Sequence, residues 1–170
     1  MTLPDPLQGM ADRAPLMLVF LRHFGCAFCR ETLGDIARQK DAIAATGAQV
    51  AFVHMASPGE ADRWFEHYNV ADVTRVSDPE KTLYRLFELD DGSLSQLAHP
   101  RVWWPWFRTA VIGGHGAGAA GPNWRQLTGV FIVHQGRILD SIRHEDSTAR
   151  PDYARFLTKV LNNNRRQEPS

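Results

Sequence analysis

A chain of 170 residues that is 44% hydrophobic and 10% aromatic can bury one compact core and is not disordered by composition. Its 19 Lys and Arg balance its 19 Asp and Glu, so no overall field argues for nucleic acid or an anionic membrane as partner. Two cysteines do not make a secreted disulfide scaffold, and no apolar run is long enough to span a bilayer. Asp5 and Asp12 sit early, with no basic start before an apolar stretch, so a cytoplasmic protein is expected.

In chain order, residues 1–14 carry proline, glycine and charge without periodicity and predict an irregular lead-in. Leu16 to Leu21 is a continuous apolar run, the pattern of a strand covered on both faces. From Cys26 the period changes: Cys29, Leu33, Ile36, Ala37, Lys40, Ile43 and Ala44 recur at three and four residues, and Gly47 closes a predicted helix. Gln49 to Met55 predicts a second buried strand. Strand, helix and strand with short joints form a βαβ unit, whose strands run parallel. Ser57-Pro58-Gly59-Glu60 has the form of a capping box opening a helix that carries Trp64, Phe65 and Tyr68. Val73 to Val76 is a short strand, and Ser77-Asp78-Pro79-Glu80 repeats the cap-then-proline device ahead of Leu83, Tyr84, Leu86 and Phe87.

Residues 93–127 read as an insert. It contains aromatic Trp103, Trp104, Trp106 and Phe107, which suit a satellite core better than a pocket wall, and a glycine and alanine loop from Gly113 to Gly121. Gly116 to Gly121 spells the glycine spacing of a dinucleotide fingerprint. Pro122-Asn123 follows where a helix should open, so a loop is the better reading. Gly129 to His134 and Arg137 to Ile142 predict strands joined at Gln135-Gly136 by a tight hairpin. Pro151 opens a last helix, with Tyr153, Phe156, Leu157, Val160 and Leu161 on one face. Glu145 and Asp146 are candidates for its cap or for a proton relay. Residues 163–170 are a polar tail. The order β-α-β-α-β-α, insert, β-β-α predicts a single α/β domain over 1–170, with a mixed central sheet and helices on both faces.

The candidate chemistry lies in Arg22-His23-Phe24-Gly25-Cys26-Ala27-Phe28-Cys29-Arg30. Sites in open α/β sheets form at the carboxyl ends of strands, and Cys26 directly follows the first strand. It also stands at a helix N-terminus, where unpaired amides and the macrodipole favour a thiolate. Gly25 allows the sharp turn into the helix, and Arg22, His23 and Arg30 add positive charge nearby. Cys29 lies almost one helical turn on, facing the same side and nearer the interior. Cys26 is therefore the expected accessible nucleophile and Cys29 the resolving thiol of an intramolecular disulfide. Two hypotheses follow from these residues, a protein thiol-disulfide oxidoreductase and a non-catalytic zinc-bound or thiol-sensing module; a third, a dithiol peroxidase, rests on a family resemblance. For zinc, the cysteine spacing fits and His23 is close. A closed site needs four ligands, though, and the other histidines are scattered singly, so no metal and no cofactor is expected.

These residues resemble the thioredoxin-like superfold, a three-layer sandwich. More closely they resemble the alkyl hydroperoxide reductase/thiol-specific antioxidant group and its peroxiredoxin-like branch that includes selenoprotein L. The likeness rests on Phe20 to Glu31, on Ser77-Asp78-Pro79 with Leu83-Tyr84, on Trp124 to Gly129, and on Val130-Phe131-Ile132-Val133 leading to Gly136. It implies that a peroxide or an oxidised thiol is the substrate and that a thioredoxin-like or glutathione-type system is the reductant. It implies no nucleic-acid or membrane partner and leaves a homodimer open. Ordinary peroxiredoxins carry a proline seven residues and a threonine or serine three residues before the reactive cysteine, where this chain has Val19 and His23. Before the late strand they carry an arginine, where counting back from Phe131 reaches Thr128. Arg22, Gly25, Arg30 and Thr128 are thus the expected site-lining residues.

Overall fold

The computed structural model describes residues 1–24, 26–89, 126–144 and 151–167. The insert therefore lies outside the described residues except for Gln126 and Leu127, and so do Gly25, Glu145 and Asp146. In chain order the elements are α1 (Leu7–Arg13), β1 (Leu16–Phe20), α2 (Ala27–Ala44), β2 (Gln49–His54), α3 (Pro58–His67), β3 (Thr74–Ser77), α4 (Thr82–Leu86), β4 (Thr128–His134), β5 (Arg137–His144) and α5 (Tyr153–Gln167). The strands form one sheet in the order β3-β2-β1-β4-β5. β1, β2 and β3 run parallel, so their carboxyl ends share one edge, and β4 and β5 run antiparallel to their neighbours.

β1 is central and buried throughout, which is why its sequence reads as an unbroken apolar run. Its alternate residues point to opposite faces. Met17 and Val19, with Phe52, Val130 and Ile132, join one core with Cys29, Leu33 and Ile36 of α2, Phe65 of α3, and Tyr153, Leu157 and Val160 of α5. Leu16, Leu18 and Phe20, with Val53, Phe131 and Val133, join a second core with Leu7, Met10 and Ala11 of α1 and with Leu83 and Tyr84 of α4. The result is three layers, with the sheet in the middle.

Three expectations about element ends are corrected. The lead-in is not irregular throughout: Leu7–Arg13 is helical and buries Leu7, Met10 and Ala11 against the sheet. The segment is fastened further by the Gln135 amide donating to the Ala11 carbonyl at 3.0 Å. So short a helix draws its stability from that packing, which local propensity does not reveal. The tail is shorter than expected, because α5 continues to Gln167. Capping also differs. Ser57 makes no side-chain cap bond to α3. α4 begins only at Thr82, and the buried carboxylate of Asp78 reaches forward to accept from the amides of Thr82 (2.9 Å), Leu83 (2.7 Å) and Tyr84 (3.3 Å). Asp152 caps α5, its side chain accepting from the Arg155 amide at 2.9 Å, while the expected cap candidates Glu145 and Asp146 lie outside the described residues. The hairpin turns at Gln135 and Gly136, both with positive φ (47° and 72°), as a two-residue turn requires.

Candidate active site

The site forms where β1 ends. Leu21 still donates to the Val53 carbonyl at 2.9 Å, so the chain stays in register with β2 up to Arg22. The Tyr84 hydroxyl is bonded to both the Leu21 and Val53 carbonyls and ties that strand end to α4. The chain then turns. The Cys26 amide donates to the His23 carbonyl at 3.0 Å, and the Cys26 carbonyl accepts from Arg30 at 3.2 Å as the first bond of α2. Cys26 is thus the N-cap residue of α2, with extended backbone (φ −79°, ψ 118°).

Arg22 holds both sulfurs. Its Nη2 donates to Cys26 Sγ at 3.1 Å, and its backbone amide donates to Cys29 Sγ at 3.3 Å. The two thiols are free and hydrogen-bonded to each other. Donation from Cys29 holds the Cys26 thiol well below its ordinary range. Burial opposes this, and the charge and hydrogen bond of Arg22 add to the lowering. The same shared bond, with burial and the charge at Cys26, pushes Cys29 well above the ordinary range. Burial tends to lower the Arg22 pKa, but the two sulfurs outweigh it and raise it, so the guanidinium stays charged beside the thiolate.

The expectation of an accessible Cys26 is corrected. Cys26 is 8% exposed and Cys29 3%, because the end of β1, Phe24 and α2 close around them. The sulfurs instead line a cavity of about 30 Å³, walled by Val19, Leu21, Arg22, Phe28, Thr128 and Tyr153 among others. That is room for roughly one or two waters. Thr128 arrives there because Phe20 pairs with Gly129, which sets the start of β4 beside the end of β1. Of the expected lining residues, Arg22 and Thr128 are brought to the thiols and Gly25 lies outside the described residues. Arg30 turns away: its Nε donates to the Phe24 carbonyl and its guanidinium lies 4.1 Å from the Trp64 ring centroid. His23 is half-buried and does not line the cavity; burial lowers its pKa. Among the described residues no group of three or more His, Cys, Asp or Glu side chains is placed to hold a metal.

Glu31, Thr32, Asp35 and Tyr153 also line the cavity and were not anticipated. Tyr153 reads as an ordinary core residue of an apolar helix face, and burial pushes its hydroxyl far above the usual tyrosine range while Thr32 shares a hydrogen bond with it. The one available signal was the spacing of Glu31 and Asp35, one turn apart on the helix that the cysteines open.

The architecture and the paired thiols at its strand-to-helix junction define a thioredoxin-like oxidoreductase class. Residues 35–146 match the family described as AhpC/TSA antioxidant enzyme, and the chain belongs to that family as a thiol-dependent oxidoreductase. The matched span begins after the cysteine pair. Three similar solved structures share the fold. The peroxidoxin BcpB of Mycobacterium tuberculosis is 16% identical, with TM-score 0.57 over 94% of this chain and 83% of that one. The reduced peroxiredoxin of Vibrio vulnificus in complex with hydrogen peroxide is 12% identical, with TM-score 0.66 over 94% and 96%. A putative thiol:disulfide interchange protein, DsbE, of Chlorobium tepidum is 16% identical, with TM-score 0.56 over 92% and 83%. No curated protein matches the sequence. No described helix is long and apolar enough to cross a membrane.

Proposed function

We propose that the chain is a dithiol peroxidase in which Cys26 is the nucleophile and Cys29 resolves it. The observation that carries this reading is the double hold of Arg22, which places one cation on the first sulfur and one amide on the second. The Cys26 thiolate attacks a peroxide oxygen. A sulfur–oxygen bond forms, the oxygen–oxygen bond breaks, and the departing alkoxide or hydroxide takes up a proton. Cys29 then attacks the Cys26 sulfenic acid, water leaves, and an intramolecular disulfide forms. Two electrons from an external thiol system of thioredoxin or glutathione type restore the dithiol. The small cavity suits a peroxide better than the disulfide of a folded protein. Arg22, supplied from the end of β1, stands in for the arginine whose expected place holds Thr128. The Arg22-to-Cys29 pattern supports a place within the selenoprotein L-like branch.

A second reading is disulfide exchange with protein partners. It is favoured by Val19, His23 and Thr128 at positions where ordinary peroxiredoxins carry the groups that activate peroxide. Stopped-flow peroxide consumption separates the two. A peroxidase consumes peroxide far faster than free cysteine does, and Cys29→Ser accumulates sulfenic acid on Cys26. A rate no faster than free cysteine, with intact exchange against disulfides, establishes the second reading instead.

A further inference from the structure

Arg30 leaves the thiol cavity and closes instead on the turn that carries the reactive cysteine. Its Nε donates to the Phe24 carbonyl, and its guanidinium lies 4.1 Å from the Trp64 ring centroid. A planar guanidinium can stack on an indole face and donate from Nε at once, which an ammonium cannot. Phe24 is held by its side chain as well. It is 1% exposed, and its ring lies nearly parallel to Trp64 (6.1 Å, 17°) and edge-on to Phe65 (6.1 Å, 84°). Main chain and ring of Phe24 thus both rest on the Arg30–Trp64 pair, one member from α2 and the other from α3. Tyr68, stacked on Trp64 at 6.3 Å, extends the pair along α3. Phe24 stands midway between Arg22 and Cys26, two residues from each. Those two residues make the 3.1 Å contact between Nη2 and Sγ. Where Phe24 is set therefore governs how the guanidinium meets the sulfur.

We infer that Arg30 and Trp64 are positioning residues for the reactive thiol: together they clamp Phe24 and so hold Cys26 Sγ at the Arg22 guanidinium. The inference rests on the reading of Cys26 as the nucleophile and serves peroxide reduction and disulfide exchange alike. The cation that lowers the Cys26 thiol is Arg22, so the clamp acts by geometry and not by the charge of Arg30. The charged and titratable groups around the clamp are Arg22 and His23 on the turn, Glu60, His67 and Tyr68 on α3, and His54 at the end of β2. Trp64→Leu alters none of them, because it removes the indole face without changing any charge.

The test follows iodoacetamide labelling of Cys26 against pH in the full-length Cys29→Ser protein. Arg30→Gln and Trp64→Leu are each expected to move the labelling profile upward, in the direction of Arg22→Gln. Arg30→Lys, which keeps the charge and loses the fork, is expected to move it as far as Arg30→Gln does. Trp64→Phe, which keeps an aromatic face, stays nearer the unsubstituted profile than Trp64→Leu. Arg22→Gln combined with Arg30→Gln is expected to fall on the profile of Arg22→Gln alone, because the clamp works through that guanidinium. The Arg30 variants carry the test if Trp64→Leu does not fold. A profile unmoved in Trp64→Leu or Arg30→Gln, a profile restored by Arg30→Lys, or a double variant whose shift is the sum of the single shifts would each overturn the proposal. Cys26 that takes no label with Arg30 and Trp64 intact would overturn the nucleophile reading itself.

Discussion

Arg22 divides its attention between two sulfurs, and the consequence is electrostatic. A hydrogen bond to a charged group is worth about 1.5–3 kcal/mol. Removing the guanidinium from the Cys26 thiolate should therefore raise that thiol. We expect Arg22→Gln to move the pH profile of Cys26 alkylation upward, as followed by iodoacetamide labelling of the Cys29→Ser background. A profile that stays in place would show that the guanidinium does not set the acidity of the first thiol. His54 gives the second expectation at this scale. It is buried between Phe24 and Phe65, and burial lowers its pKa below the usual 6.5. A base whose folded pKa is depressed binds its proton more readily when unfolded. Its contribution to stability is thus complete above about 6.5 and is lost as pH falls toward the lowered value. Denaturant midpoints should drop through that window, and His54→Leu should flatten the drop. The sequence placed Arg22 near Cys26 but could not say where its side chain points. Nor could it show that Glu31 and Asp35 are buried, since the covering comes from α5, more than a hundred residues further along.

Among the elements, β1, β2 and the β4–β5 hairpin were legible because unbroken apolar runs and the Gln135-Gly136 turn write themselves into the pattern. The start of α4 was not. The Asp78 carboxylate serves α4 from four residues ahead of Thr82, a distance at which no local cap pattern looks. This cap bears on the site, because α4 carries Tyr84, whose hydroxyl holds the carbonyls of Leu21 and Val53. Asp78→Ala should cost about 1–2 kcal/mol, the usual range for a lost cap. It should also lower Tm by a few degrees, as measured by calorimetry, and slow Cys26 alkylation as the end of β1 loosens. Tm loss with an unchanged alkylation rate would show that Tyr84 keeps its place without the cap.

For the whole molecule, the sheet separates chemistry from scaffolding. The thiols belong to the core shared by α2, α3 and α5, while α1 and α4 cover the opposite face. Leu7→Ala, in a fully buried position of α1, should destabilise by about 2–5 kcal/mol in urea melts yet leave the alkylation rate of Cys26 in the folded protein unchanged. A coupled loss of reactivity would show that the two faces communicate. The fold class was legible at this scale from element order alone, because parallel units followed by a hairpin and a helix leave few arrangements of one sheet.

The Arg22 contacts differ in kind, one made by a side chain and the other by the main chain. Every residue except proline carries the same N–H at position 22, so exchanging the side chain there retunes the first sulfur while the second keeps its donor. The acidity of the attacking thiol is in this way open to mutation, selection or engineering without the resolving thiol being disturbed, and the two halves of the redox cycle can drift apart in sequence while the backbone stays the same.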